Sequence, residues 1–196
     1  MPRPRSIPEP EVLERALLVF WAHGYDRTSI GDLSKAVGVG PSSLYNAFGS
    51  KLELFRRCIE RYMSTHANFA NTILLDERSE LDAAALVRTL LRAAVTLYAG
   101  KGTPRGCAMF EGAGSSSADD AEAGAVTLEH KAELEKALVM RLNARARAGD
   151  VLAASPAVLA KSITATMRGL SQLACDGASK RDLLAVADHT AASCVR

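Results

Sequence analysis

Cys107 stands between Arg105 and Met109, close to an expected helix start. There, positive charge and the helix dipole lower a thiol pKa and favour reaction with oxidants or electrophiles. A free cysteine is most often a buried small hydrophobe, which is the preferred reading, with a sensor of oxidants or electrophiles as the alternative. Other candidate chemistry falls away on spacing. GVGPSS at 38–43 has two glycines of a dinucleotide-binding turn but lacks the third, and a helical pattern precedes it where a strand is required. GKG at 100–102 lacks the frame of a phosphate loop, the chain has no GxSxG and no HExxH, and no carboxylate pair stands out. Cysteines 58, 107, 175 and 194 form no CxxC pair, and His23, His66, His130 and His189 are scattered. Neither a disulfide framework nor a metal site is expected, nor a cofactor. The chain is not expected to be an enzyme.

The elements that position these residues read as helices throughout. The chain has 196 residues, 48% hydrophobic and only 5% aromatic, so Ala, Leu and Val must supply the packing. That favours closely approached helices and an all-α fold. The longest apolar run, ALLVFWA at 16–22, is far short of the roughly 20 residues that span a membrane, and MPRPRSIPEP has no apolar stretch behind its arginines. A soluble, cytoplasmic protein without a membrane partner is expected. Residues 1–66 carry nine Lys/Arg against seven Asp/Glu, and residues 67–196 carry fifteen of each. The whole net charge of +2 thus sits in the first third, the sign a nucleic-acid partner calls for.

Helix starts recur as [ST]-x-x-[DE] capping patterns at Ser29/Asp32, Ser50/Glu53, Ser79/Asp82 and Ser179/Asp182. A first helix is expected from about Pro10 to His23 and a second from Ser29 to Val37. A third, of about two turns, fits between Pro41 and Gly49, and a long one runs from Ser50 through ANFANTIL. Further helices are expected at about 80–100, 104–112, 119–148, 155–176 and 179–194, with a surface loop at 112–120. Two short helices joined by a tight glycine-containing turn describe a helix-turn-helix, whose second helix enters the DNA major groove. Gly38 lets the chain reverse, Gly40 lets backbone come close at the start of the third helix, and Gly49 releases the chain into the next cap.

The stretch HGYDRTSIGDLSKAVGVGPSSLYNAFGSKLELF at 23–55 resembles the DNA-binding domain of the tetracycline-repressor (TetR) family of bacterial transcription regulators. The resemblance rests on Gly24-Tyr25, Thr28-Ser29-Ile30, Asp32-Leu33, Val37-Gly38-Val39, Leu44-Tyr45, Phe48 and Ser50-Lys51, in order and spacing. It implies a three-helix DNA-binding domain over 1–50 and a helical effector-binding and dimerisation domain over 51–196. It also implies that Thr28 and Ser29 meet phosphate, that Gly40, Pro41, Ser42 and Ser43 open the recognition helix, that Tyr45 and Lys51 grip phosphate, and that Asn46 and Ala47 lie near base edges. Hydroxyls and backbone N–H groups at helix starts suit phosphate, and Asn suits adenine. Ala47 stands where many members have a bulkier residue and Gly31 where some read a base, so no operator sequence transfers. Arg3 and Arg5 form either a minor-groove arm or a solvated tail.

For the larger domain the family implies a pocket for a small-molecule effector. Tyr98, Cys107, Met109, Phe110, Met140, Met167 and Gln172 lie on helices able to line it, or simply in the core. Leu159, Ile163, Met167 and Leu170, with Leu183, Ala187 and Ala191, form a stripe beside Ala160, Ala165 and Gly169. That stripe either closes the monomer core or packs against a second copy, and the family favours the dimer. The resemblance implies a homodimeric repressor released from a palindromic double-stranded operator by its effector. The alternatives are a helical small-molecule-binding protein whose helix-turn-helix no longer reads DNA and, less in keeping with the motifs, an all-α enzyme.

Overall fold

The computed structural model describes residues 7–76, 78–111 and 118–195; the basic pair Arg3 and Arg5 lies outside the described residues. Regular structure among these residues is helical, apart from one isolated bridge that pairs Leu152 with Val195. The protein has an all-α fold, with a helix-turn-helix arrangement at the N-terminus and a larger helical bundle behind it.

Helix α1 (Glu9–His23) carries Pro10 in its first turn, where a missing N–H costs nothing. It buries Leu13, Ala16, Leu17, Phe20 and Trp21. Helix α2 (Ile30–Val37) opens on a reciprocal cap: Asp32 N donates to Ser29 Oγ at 3.1 Å while Ser29 N donates to Asp32 Oδ2 at 3.0 Å. It closes at Gly38, whose φ of 82° and ψ of 26° are left-handed. Helix α3 (Pro41–Phe48) follows after only Val39 and Gly40. Helix α4 (Lys51–Ser64) is capped by Ser50, which accepts from Glu53 N at 3.0 Å.

Phe20, Tyr25 and Phe55 fill the space between these helices, with ring centroids 5.1–6.0 Å apart. Burial of each ring contributes roughly 1.5–3 kcal/mol, and the edge contacts add about another 1 kcal/mol. Arg61 and His66 both reach Glu14, at 2.7 and 2.8 Å. Partial burial raises the Glu14 pKa, but the bonds from His66 and Arg61 outweigh it and hold the carboxyl below its usual range.

The bundle comprises α5 (Phe69–Leu74), α6 (Ala83–Tyr98), α7 (Ala108–Glu111), α8 (Ala118–Arg147), α9 (Pro156–Cys175) and α10 (Lys180–Ala192). Helix α6 lies at its centre, with Leu86, Leu90, Leu91 and Ala94 fully buried, and packs against α5, α9 and α10. Arg92 forks onto both oxygens of Asp188 at 2.9 and 2.7 Å, pinning α6 to α10.

Three expectations fail for local reasons. The long helix from Ser50 stops at Ser64, because the hydroxyls of Ser64 and Thr65 both turn back onto Arg61 O, at 3.0 and 2.6 Å. Such bonds compete with the helical ladder, and α5 resumes in a new direction. The helix expected from Pro104 begins only at Ala108, since Gly106 takes a φ of 85° and breaks any helix through it. Ser79 does not cap α6; Asp82 does, accepting from Ala85 N at 2.7 Å. The expected loop lies outside the described residues over 112–117, and from Ala118 the backbone is already helical.

Gly38 and Gly40 differ in a way that stability measurements resolve. A Cβ on Gly38 meets nothing closer than 3.8 Å, so Gly38→Ala is penalised only by its left-handed backbone. Its expected cost is about 1–2 kcal/mol, read as a lower urea midpoint at unchanged m-value. Gly40 has a φ of −67°, and a Cβ there would meet no atom within 4 Å, so it accepts Ala within roughly 0.5 kcal/mol.

Candidate functional site

Helix α3 is held by two side chains. Leu44 and Phe48, one turn apart, are buried, while Pro41, Ser42, Ser43, Tyr45, Asn46 and Ala47 all face outward. Tyr45 is 50% exposed, a large aromatic left at the surface. Gly40 and Pro41 open the helix without a side-chain cap, which leaves the first-turn N–H groups at an exposed end. This face offers two hydroxyls, a phenol and an amide on a rigid two-turn helix.

The flanking residues are more committed than the sequence implied. Thr28 is buried and its hydroxyl donates to Gly24 O at 2.6 Å, so it has no side-chain contact to offer a phosphate. Ser29 is exposed, with its hydroxyl bonded to Asp32 Oδ2 at 2.6 Å. Lys51 reaches back to Tyr25 O at 3.0 Å and Thr28 O at 3.1 Å, with its ammonium 4.0 Å from the centroid of the Tyr25 ring. Its charge therefore fastens the turn before α2 to the start of α4, a structural role the motif alone does not disclose.

Behind this region, α4, α5, α6 and α8 enclose a cavity of about 170 Å³. Four of the expected lining residues are there: Tyr98, Cys107, Met109 and Met167. Phe110, Met140 and Gln172 are not on its wall. Phe110 lies beneath Lys131, whose ammonium is 5.6 Å from the ring centroid, Met140 lies 61% exposed in an outer groove, and Gln172 bonds Asp176 at the surface at 2.9 Å. The sequence missed Tyr62, Phe69, Ala70 and Leu74. These residues belong to α4 and to α5, which the sequence presents as one helix; the interruption after Ser64 separates them into two walls of the cavity.

Cys107 sits buried at the cavity wall, in keeping with its reading as a small core hydrophobe and against the reading as an activated thiol. Burial pushes its thiol pKa up, and the hydrogen bonds from Tyr62 and Tyr98 oppose this only in part. The Tyr62 hydroxyl donates to its Sγ at 3.2 Å. Arg105, expected to stabilise a thiolate, instead spends its guanidinium on Ala174 O and Ala178 O at the end of α9, the latter at 2.7 Å. Backbone N of Cys107 donates to Ser171 Oγ at 2.9 Å, and that hydroxyl donates onward to Glu111 Oε1 at 2.9 Å.

The cavity is in physical contact with α1. Tyr62, on its wall, meets Trp21 edge to face at 5.1 Å, and His66 stacks on Tyr62 and abuts Trp21 at 5.6 Å. Cys58, one turn before Tyr62, donates its thiol to Leu13 O at 3.5 Å.

The stripe expected at a dimer interface faces the wrong way for one. Leu159, Ile163, Met167, Leu170, Leu183, Ala187 and Ala191 are all buried within the monomer, where α9 and α10 pack against each other and against α6 and α8. Large apolar residues on an amphipathic helix go to the nearest core. The outer face carries Val158, Ser162, Ala165, Gly169 and Leu173 on α9, with Ala185, Val186 and His189 on α10. Among the described residues no group of His, Cys, Asp and Glu is arranged to hold a metal ion, and no helix is long and apolar enough to cross a membrane.

Residues 12–58 match the model of the bacterial regulatory proteins of the tetR family. The chain is 29% identical over 189 residues to the HTH-type transcriptional repressor ComR of Escherichia coli, covering 96% of this chain and 89% of that one. A solved structure of the TetR family transcriptional regulator CifR, a cysteine mutant complexed with 26bp double-strand operator DNA, superposes with a TM-score of 0.89 at 29% identity, covering 97% of this chain and 99% of the other. A TetR transcriptional regulator from a Rhodococcus species is 32% identical, with a TM-score of 0.62, over 94% of this chain and 98% of its own.

The four thiols should separate by exposure. Cys58, Cys107 and Cys194 are buried and Cys175 is exposed, so one equivalent of Ellman's reagent is expected to react rapidly in the native protein and three more only on unfolding. Cys175→Ser should remove the fast phase; its persistence would show that a buried thiol is accessible.

Proposed function

Because the chain belongs to the TetR family of bacterial regulatory proteins and is a DNA-binding transcriptional regulator, we propose that it works as a homodimeric repressor. In this reading α3 enters the major groove of a palindromic operator, and a small molecule entering the cavity releases it. The observation that carries the reading is the contact line from Cys107 through Tyr62 to Trp21, which joins the cavity wall to the first helix of the DNA-binding unit.

On the DNA, Ser42, Ser43 and Tyr45 reach phosphates, the backbone N–H of Ser42 adds a contact, and Asn46 and Ala47 face base edges. Thr28 contributes by shaping the turn, and Lys51 by holding it. ComR is a transcriptional repressor and CifR binds an operator duplex, which supports repression as the direction of control.

An occupant larger than the 170 Å³ cavity displaces Tyr62, and with it Trp21 and α1. The recognition helices of the two protomers then lose the spacing that successive major grooves require, and the effector shifts population toward that state by its differential affinity. Two copies join through the outer face of α9 and α10, where Ala165 and Gly169 allow close approach and Val158, Leu173 and Val186 supply apolar contact.

Fluorescence anisotropy against the intergenic duplex beside the protein's own gene, with a shuffled duplex as control, tests the DNA reading. Tighter binding to the native duplex that weakens with salt is expected. Asn46→Ala should cost about 1–3 kcal/mol and relax selectivity at one base pair, and Gly40→Ala should weaken binding without lowering stability. Equal, salt-insensitive binding to both duplexes would overturn it. Ala165→Arg should yield a monomer in analytical ultracentrifugation with loss of operator binding; an intact dimer would place the interface elsewhere.

A further inference from the structure

Outside the cavity, between α5 and α8, lies an open groove of about 710 Å³. Leu74, Glu133 and Ala137 line both spaces, so the groove abuts the cavity across these three residues. Its apolar surface comes from Leu75 and Met140, 62% and 61% exposed, which are large hydrophobes that a lone monomer has no reason to show water side by side. Its charge comes from Lys136, Arg141 and Arg147, against Glu133 alone. Glu133 already meets His130 at 3.2 Å, while among the described residues neither Lys136 nor Arg147 forms an ion pair. Arg141 donates through Nη2 to Ser79 O at 2.8 Å, but its Nε is buried and has no hydrogen-bond partner among the described residues. A buried guanidinium N–H without an acceptor is costly, and it leaves the charge of Arg141 uncompensated beside the groove.

We propose that groove and cavity together hold one amphipathic anion. Its carboxylate or phosphate head is drawn by the positive charge that Lys136, Arg141 and Arg147 spread over about 16 Å of α8, and pairs with the nearest of them. Its alkyl tail runs over Leu75 and Met140, passes between Leu74 and Ala137, and ends in the cavity against Tyr62. This names the chemical class of the effector and rests on the reading of the cavity as the effector site. The two ends divide the work: the head gives selection through charge-assisted hydrogen bonds, and the tail, by reaching Tyr62, supplies the displacement that α1 feels.

The chain has a single tryptophan, Trp21, and it packs on Tyr62, so its emission reports occupancy of the cavity. Decanoate, decyl phosphate, 1-decanol and decyltrimethylammonium are titrated into the full-length protein while that emission is followed, and operator anisotropy is read in parallel. The anions are expected to bind saturably and about tenfold or more tighter than the alcohol, as one charge-assisted contact implies, with the cation weakest. The ratio of decanoate to decyl phosphate identifies the head. Lys136→Glu combined with Arg147→Glu, both at exposed positions, should remove the anions' advantage and leave the alcohol's affinity unchanged. Equal affinity for alcohol and anions, anion binding indifferent to the charge reversal, or no saturable response at all would overturn the proposal. Ala70→Phe fills the cavity and leaves the groove intact. If anions still bind this variant and release the operator, the cavity reading fails; if the alcohol alone releases the wild-type protein, the cavity reading stands and the anionic head is rejected.

Discussion

The edge-to-face contact of Trp21 with Tyr62 is the joint on which this molecule depends. Each ring is almost wholly buried, each belongs to a different packing problem, and neither can move alone. Trp21 completes the inner face of α1, whose other residues hold the helix-turn-helix together. Tyr62 completes the cavity wall and hydrogen bonds Cys107. Because close-packed interiors respond to strain by switching arrangement and not by yielding smoothly, the proposed release runs through this shared pair of rings. The Glu14 carboxylate, gripped from one side by Arg61 and from another by His66, keeps α1 and α4 in register around that joint.

The N-terminal third was legible because its signals are local. Gly24, Gly38 and Gly49 stop three helices at positions where the backbone takes positive φ, and Ser29 and Ser50 start α2 and α4 with caps whose partners lie three residues away. Such features need no knowledge of the rest of the fold. The resemblance added roles to these residues that spacing alone does not supply, and two needed qualification. The Thr28 hydroxyl is turned inward to Gly24 O, and the Lys51 ammonium is drawn back onto Tyr25 and Thr28; both bonds join segments that the sequence presents as separate.

The bundle was legible in its helices and not in its faces. The stripe through Leu159, Ile163, Met167 and Leu170 is real, but a stripe says only that something covers it. Here the cover is the monomer's own α6, α8 and α10, and the smaller residues Ala165 and Gly169 are what remains outside. Cys107 shows the same limit for electrostatics. Two residues along the chain from Arg105, it is denied that charge because the guanidinium turns to the carbonyls ending α9, while burial decides its thiol's state. The cavity lining from α4 and α5 was hidden for a simpler reason: the chain turns after Ser64, where two hydroxyls bond back to Arg61 O, and the sequence presents the two segments as one helix.

The anchoring of α3 by Leu44 and Phe48 alone bears on how such a protein changes over generations. The remaining six positions of the helix are exposed, so in the proposed role substitutions there change the DNA-facing surface while drawing little on the stability of the fold. Duplicated copies of a gene with this architecture are free to diverge in their DNA targets while the cavity, the joint and the bundle stay as they are, and new target preferences arise without passing through an unfolded intermediate sequence.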